Sequence, residues 1–350
     1  MKFLFTVGGS QSTVFSIAPL ATAARSAGHE ILVTADEPLL ETATAIGLPV
    51  VPSPHPGMPA ARLQALLELT RQWPADVVVG GLSHVPGILA THLKALYVRH
   101  YWDIVPLRPE PGIEPDLERL GLTGPPEADL FIDVCPPCLR PSPTPGARPM
   151  RWIPRNRQGR LDPWMYTRPA GRPRVLVTAG TRNLMLHSHT GVMRQLVDQL
   201  TAAGAEVVIA APDRAAEEFG AQFSDVRIGW VPLDVVAPTC DLAVHHGGAA
   251  TAMTLMNAGV PQLITPDNDY SRTIAKALGD FGAALAVPPA PRQAGQEAYR
   301  EAVDAVAAAC RQILSDRRFA ERARVLATEI GKLPTTAEMV GTIEQLAAAG

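Results

Sequence analysis

The chain has 350 residues, 47% of them hydrophobic and 19% charged, with a formal net charge of -3 at pH 7. That length accommodates two domains with a full core each, while the lack of clustered Lys and Arg excludes a nucleic-acid surface, which must meet phosphates with basic side chains. Cysteines number 4, too few for a disulfide scaffold.

The opening MKFLFTVGGS carries one Lys and an apolar stretch of about seven residues, too short for a secretory leader. No window approaches the roughly 18 apolar residues of a membrane span, so a cytoplasmic protein with no membrane association is expected. Short apolar, β-branched runs then alternate with helical stretches: KFLFTV (2–7), EILVTA (30–35), DVVVGG (76–81), LYVRHY (96–101) and LFIDVC (130–135). The alternation starts again with RVLVTAG (174–180), AEVVIAA (205–211), VRIGWV (226–231), CDLAVHH (240–246), PQLITP (261–266) and AALAV (283–287). Two such series predict an α/β protein with two Rossmann-like doubly wound parallel-sheet domains and a cleft between them.

Between the series, 16 of the 34 prolines fall from Pro106 to Pro173. The stretch CPPCLRPSPTPGARP (135–149) can be neither helix nor central strand. The expected organisation is an N-terminal domain over 1–150, a Pro-rich linker over 151–173, a second domain over 174–333, and a terminal helix over 334–350 after the break at LPT (333–335). Cys135 and Cys138 have the spacing of a redox pair or half a zinc site. Prolines stand where a redox pair needs a helix start, and no second CxxC completes a zinc site.

In open parallel sheets ligands sit at the carboxyl ends of strands. Three such loops in the second half are suggestive: TAGT (178–181), GWVP (229–232) and HHGGAAT (245–251). In the last, glycines let backbone approach a ligand, and the next helix opens with unpaired N–H donors and a partial positive charge, which suits a diphosphate. His245 or His246 can add a hydrogen bond or a proton there. Trp230 offers a face for a flat base. The dinucleotide fingerprint GxGxxG is missing from both first loops, VGGSQST (7–13) and TAGTRNL (178–184), which argues against a redox enzyme. Asp267-Asn268-Asp269 has the spacing of a metal-binding D-x-D, but P-D-N-D is also a good turn, and no metal is expected. In the first half, His84, His100 and Asp103 lie near strand ends.

Taken together, PLATAARSAGHE (19–30), DVVVGG (76–81), DLFIDVCPP (129–137), MRWIP (150–154), PWMYTRP (163–169) and LDVVAPTCDLAVHHGGAATAMTLMNAGVPQLI (233–264) resemble the bacterial natural-product glycosyltransferases of GT-B architecture. More narrowly they look like the angucycline deoxysugar transferases of the urdamycin and landomycin type. The resemblance implies an inverting transfer of a deoxyhexose from a dTDP-sugar to an aromatic polyketide, with no cofactor beyond that co-substrate; a homodimer is left open. It assigns Thr181, Arg182, His245, Gly247, Gly248, Ala249 and Thr251 to the diphosphate, and Trp230 with the backbone of Val231 to the thymine. Ser10, Ser12, Thr13, His84 and Trp102 line the acceptor side, and the final helix crosses back to the N-terminal domain.

Three departures from that family stand out. Thr13 occupies the position where many relatives carry a catalytic His, and an Asp after the YVR-type strand points to Asp103 as the base. The Asp-Gln pair of the family's PxxxDQ falls on Tyr270 and Ser271, which fits a 2,6-dideoxyhexose such as olivose, with Asn268 and Asp269 compensating. The segment between Pro52 and Trp73 is short. The rival readings are a silent relative that activates another transferase and a sugar-nucleotide 2-epimerase; O- and C-transfer are not separated.

Overall fold

A computed structural model describes the chain except residues 55–57, 103, 105–109, 141–143, 169, 179–189, 214–215, 218–219, 224, 292 and 350. The fold forms two compact units, Met1–Gln158 with Lys332–Gly350, and Gly159–Gly331. In chain order the first holds β1 (Lys2–Thr6), α1 (Gln11–Ser26), β2 (Glu30–Asp36), α2 (Leu40–Ala45), β3 (Val50–Ser53), α3 (Pro59–Gln72), β4 (Val77–Gly80), α4 (Val85–Leu93), β5 (Leu96–Tyr101), α5 (Glu114–Arg119), β6 (Leu130–Asp133) and β7 (Ala147–Pro149). The second holds α6 (Pro163–Tyr166), β8 (Arg174–Thr178), α7 (Thr190–Ala202), β9 (Glu206–Ala210), β10 (Arg227–Gly229), α8 (Leu233–Val236), β11 (Leu242–His245), α9 (Ala249–Asn257), β12 (Gln262–Ile264), α10 (Asp269–Phe281), β13 (Ala284–Ala286), α11 (Gln296–Ser315) and α12 (Arg317–Gly331). Helix α13 (Thr336–Ala349) returns to the first unit, packs on α1, and sets Glu344 against His29 at 2.8 Å.

Both sheets are parallel and share one strand order: β3-β2-β1-β4-β5-β6-β7 in the first, β10-β9-β8-β11-β12-β13 in the second. The expected pair of doubly wound sheets is what the chain forms. Central strands are continuous apolar runs because helices cover both faces. Thus Val175, Val177, Leu242 and Val244 enter one core with α7 and α11, while Leu176 and Ala243 enter another with Val231, Val236 and Leu255. Chain order reverses between β1 and β4, and between β8 and β11, which opens a crevice at the carboxyl ends of those strand pairs. Among the described residues no helix is long and apolar enough to cross a membrane.

Two strands escape the sequence pattern. β3 and β7 are edge or near-isolated strands of 4 and 3 residues with half-exposed side chains. Each carries a proline, Pro52 and Pro149, which an edge tolerates because no partner needs its missing N–H.

Candidate functional site

In the second unit β11 ends at His245, whose ladder partners are Thr178 of β8 and Ile264 of β12. Helix α9 then begins after two glycines, so its first turn lies at the β8/β11 switch point. Gly247 is left-handed (φ 88°) and can carry no side chain: an added Cβ would stand 2.7 Å from Cβ and 3.2 Å from Cα of Ser271. Gly248, the N-cap of α9, has an ordinary φ of -67° and offers no capping side chain. The first turn of α9 has no acidic residue either. A helix start without a capping side chain leaves its first N–H donors to other partners, an arrangement that favours anions.

The structure divides the two histidines differently from the expectation that His245 meets the diphosphate. His245 is 1% exposed. Its Nδ1 accepts the Gly247 N–H at 3.1 Å, which leaves the proton on Nε2, and Nε2 donates to Gln262 Oε1 at 2.8 Å. Burial, then the neighbouring His246, pushes its pKa down to about 3. A neutral ring with both nitrogens engaged has nothing left for a ligand, so His245 is corrected from a catalytic group to a support: it shapes the Gly247 turn and, through Gln262 Nε2 to Ala252 O at 3.3 Å, braces α9.

His246 is the histidine at the helix mouth. Its ring lies over Gly248, where an added Cβ would be 2.7 Å from Nε2 and 3.0 Å from Cε1. Its Nδ1 has no hydrogen-bond partner among the described residues. Burial lowers its pKa, and the charge of Asp267 opposes that shift.

The remaining donor-side expectations divide as follows. Ala249 and Thr251 occupy the first turn of α9, half-buried. Asn268 caps α10 in a reciprocal box, accepting the Ser271 N–H at 3.0 Å while Ser271 Oγ accepts the Asn268 N–H at 3.2 Å. Its amide also donates to Asp267 at 2.7 Å, so Oδ1 and one amide proton are engaged in and beside the cap. Asp269 is exposed and paired with Arg272 at 2.7 Å. Trp230 follows β10, half-buried, and Val231 is a core residue with only its backbone to offer. Next to the diphosphate candidate in chain order, Trp230 stands three strand positions from β11 in the sheet, about 14 Å at ordinary strand spacing. Thr181 and Arg182 lie outside the described residues, and no group of three or more metal-ligating side chains gathers among the described ones.

In the first unit Ser10 precedes α1 and its Oγ meets Ser12 Oγ at 2.6 Å. The Thr13 hydroxyl shares its one proton between Gly8 O at 2.8 Å and Ser10 O at 2.7 Å, which closes the loop. His84 sits at the start of α4. Trp102, expected on the acceptor side, is a core side chain, 5% exposed. Burial holds the Cys135 thiol up at about 11, and Cys138 is exposed; neither forms a disulfide among the described residues. Asp103 lies outside the described residues. Sequence reasoning missed Met58 and Leu82, 58% and 50% exposed, at the starts of α3 and α4; an apolar side chain inside a polar turn such as GGLSH was the available signal.

Two parallel units of this order have the doubly wound topology that many nucleotide-binding proteins share, with a helix start at the switch point of the second. The Erythromycin biosynthesis protein CIII-like, C-terminal domain family matches residues 194–346. L-demethylnoviosyl transferase of Streptomyces niveus is 31% identical over 372 aligned residues, covering 96% of this chain and 96% of the relative. The glycosyltransferase SsfS6 of Streptomyces sp. SF2575, solved with thymidine diphosphate, is 30% identical over 99% of each chain with a TM-score of 0.80. Spinosyn rhamnosyltransferase SpnG, solved with the spinosyn aglycone, is 26% identical over 98% of this chain and 100% of its own, with a TM-score of 0.84. The chain belongs to the Erythromycin biosynthesis protein CIII-like family of bacterial natural-product glycosyltransferases and is an enzyme of GT-B fold.

Proposed function

We propose that the protein transfers a deoxyhexose, of the 2,6-dideoxy type such as olivose, from a dTDP-sugar to an aromatic, angucycline-like polyketide with inversion. The observation that carries this reading is the uncapped start of α9 at the β8/β11 switch point with the His246 ring over its N-cap. Charge grows on the leaving diphosphate as the glycosidic bond breaks. Fixed N–H donors and an imidazole aimed there act where that charge develops, each worth about 2.7–4 kcal/mol of barrier. The backbone after β10, with Trp230, lies within reach of the thymine end of the same nucleotide. The carboxyl edge of the first unit then takes the acceptor, and the exposed Met58 and Leu82 suit an apolar ring system.

A phenol of pKa about 10 is protonated at neutral pH, so attack needs a base, worth roughly 10²–10⁴-fold. A neutral threonine hydroxyl such as that of Thr13 is too weakly basic for this, and Asp103 is the proposed base; in C-transfer the same carboxylate removes the ring proton. The absence of an Asp-Gln pair at Tyr270 and Ser271, with Ser271 buried in the α10 cap, supports a sugar with few hydroxyls.

The test is turnover with dTDP-olivose and a panel of phenolic anthraquinones, products read by mass spectrometry and then heated in acid, which cleaves an O-glycoside and spares a C-glycoside. Asp103→Asn is expected to lower turnover by about 10²-fold or more with thymidine diphosphate affinity retained. Equal turnover in this variant and the parent removes Asp103 from the mechanism, and failure to bind thymidine diphosphate removes the donor assignment.

A further inference from the structure

The carboxyl edge of the first sheet carries a polar network that the transfer chemistry does not use. Asp36, buried at the end of β2, accepts the Gly9 N–H at 2.9 Å through Oδ2 and the Arg62 guanidinium through Oδ1. Arg62 also donates to Pro54 O from Nε at 3.1 Å and from Nη2 at 3.0 Å. Glu110 binds the next segment: both its oxygens accept the Ser83 hydroxyl at 2.9 Å, and Oε2 accepts the His84 N–H at 2.7 Å. Ser83 Oγ in turn accepts the Val85 N–H at 3.1 Å. A carboxylate borrowed from far along the chain thus closes the start of α4, which its own N-cap residue, His84, leaves without a side-chain cap. Burial lowers the Arg62 pKa, and the charges opposing that are Asp36 first and Glu110 second, so the guanidinium stands in the field of both carboxylates.

These contacts hold the loop after β1, the segment before α3 and the start of α4, which flank the β1/β4 switch point of this sheet. Ser10 lies on the first, with Ser12 in the opening turn of α1 just beyond it, Met58 on the second, Leu82 and His84 on the third. We infer that Glu110 is a positioning residue for the acceptor: it fixes Leu82 and the first turn of α4 as one wall of the acceptor site, as the Asp36–Arg62 pair fixes the loop that leads through Ser10 into α1. This rests on the reading of the first unit as the acceptor side.

Glu110 is half-buried, so Glu110→Gln keeps the shape and removes the charge without emptying the core. Initial rates with dTDP-olivose and alizarin, alizarin varied, are the readout, beside thymidine diphosphate affinity by calorimetry and the melting temperature. Glu110→Gln is expected to lower kcat/KM for alizarin about ten-fold, the size of one charge-assisted hydrogen bond that orders a turn. Thymidine diphosphate affinity stays within about two-fold. Ser83→Ala is expected to act in the same sense, and the double variant to be no worse than Glu110→Gln, because both break one network. Unchanged kcat/KM for alizarin overturns the inference, as does a fall matched by equal losses of thymidine diphosphate affinity and melting temperature, which marks a merely structural role. Leu82→Trp separates the two levels: if it leaves the alizarin KM unchanged, the acceptor-side reading fails; if it raises KM while Glu110→Gln does not, only the role of Glu110 fails.

Discussion

Gly247 and Gly248 are adjacent, yet alanine at each should fail for a different reason. At Gly247 the backbone is left-handed, which costs an L side chain about 1–2 kcal/mol. The new methyl would also meet the Ser271 backbone and Ile264 Cγ2 at 3.2 and 3.1 Å, and the Ser271 Cβ at 2.7 Å. Ser271 is locked in the α10 capping box and cannot retreat, so overpacking adds about 1–3 kcal/mol. Gly247→Ala should therefore destabilise the protein by about 3 kcal/mol, a melting-temperature drop of roughly 6–12 °C for a unit of this size. At Gly248 the backbone is unstrained and the methyl meets only the tip of His246, which can rotate away. Gly248→Ala should cost less than about 1 kcal/mol of stability but displace the imidazole, raising the thymidine diphosphate Kd about ten-fold or more. Urea unfolding and calorimetry on both variants separate the two effects. A Gly247→Ala protein as stable as the parent, or a Gly248→Ala protein with parental affinity, would refute the reasoning.

Further outcomes follow from the same contacts. His245→Ala leaves Gln262 Oε1 and the Gly247 N–H without their partner, and should lower stability by about 1–3 kcal/mol in urea titrations; His246→Ala should leave stability near the parent and weaken thymidine diphosphate binding. His245 and His100 are both fully buried, with pKa values pushed by burial to about 3 and about 4 from an ordinary 6.5. The unfolded chain therefore takes up their protons first, so their contribution is complete above pH 6.5 and declines as pH falls through the window down to about 4 and 3. At pH 5 each should account for about 2 kcal/mol of lost stability, seen as a falling urea midpoint between pH 7.5 and 5; a flat midpoint contradicts it. Arg174, fully buried, pairs with Glu206 at 2.7 Å and donates to the carbonyls of Trp164 and Thr167, both at 2.9 Å. Arg174→Met leaves Glu206 with Arg227 on its other oxygen but strips a buried partner from it and from the two carbonyls, and should cost about 1–3 kcal/mol, measured by the same titration.

The central strands were legible because burial on both faces writes them as unbroken apolar runs, whereas β3 and β7, at the two edges of the sheet, write nothing of the kind. The turn after β11 was legible as well, since paired glycines before a run of small residues mark a tight turn into a helix. The residues alone left His245 and His246 open, and the one the resemblance assigned, His245, proves to be engaged with Gln262 and Gly247. Yet the signal existed: His245 is the last residue paired on both sides within a parallel sheet, so it had to be buried, and His246 is the first beyond the ladder. The Asn268-x-x-Ser271 spacing likewise foretells a cap, which competes with any ligand for the same amide. The Asp36–Arg62 and Glu110–Ser83 contacts join residues 26 and 27 apart, and nothing local records such pairs.

The account stands most directly on where the phosphates lie. A crystal structure of the protein with thymidine diphosphate should place the diphosphate oxygens within hydrogen-bond distance of the first N–H groups of α9 and of the His246 ring, with His245 still bound to Gln262. A diphosphate held elsewhere, or one that draws His245 out of its pair while His246 stays apart, would contradict it.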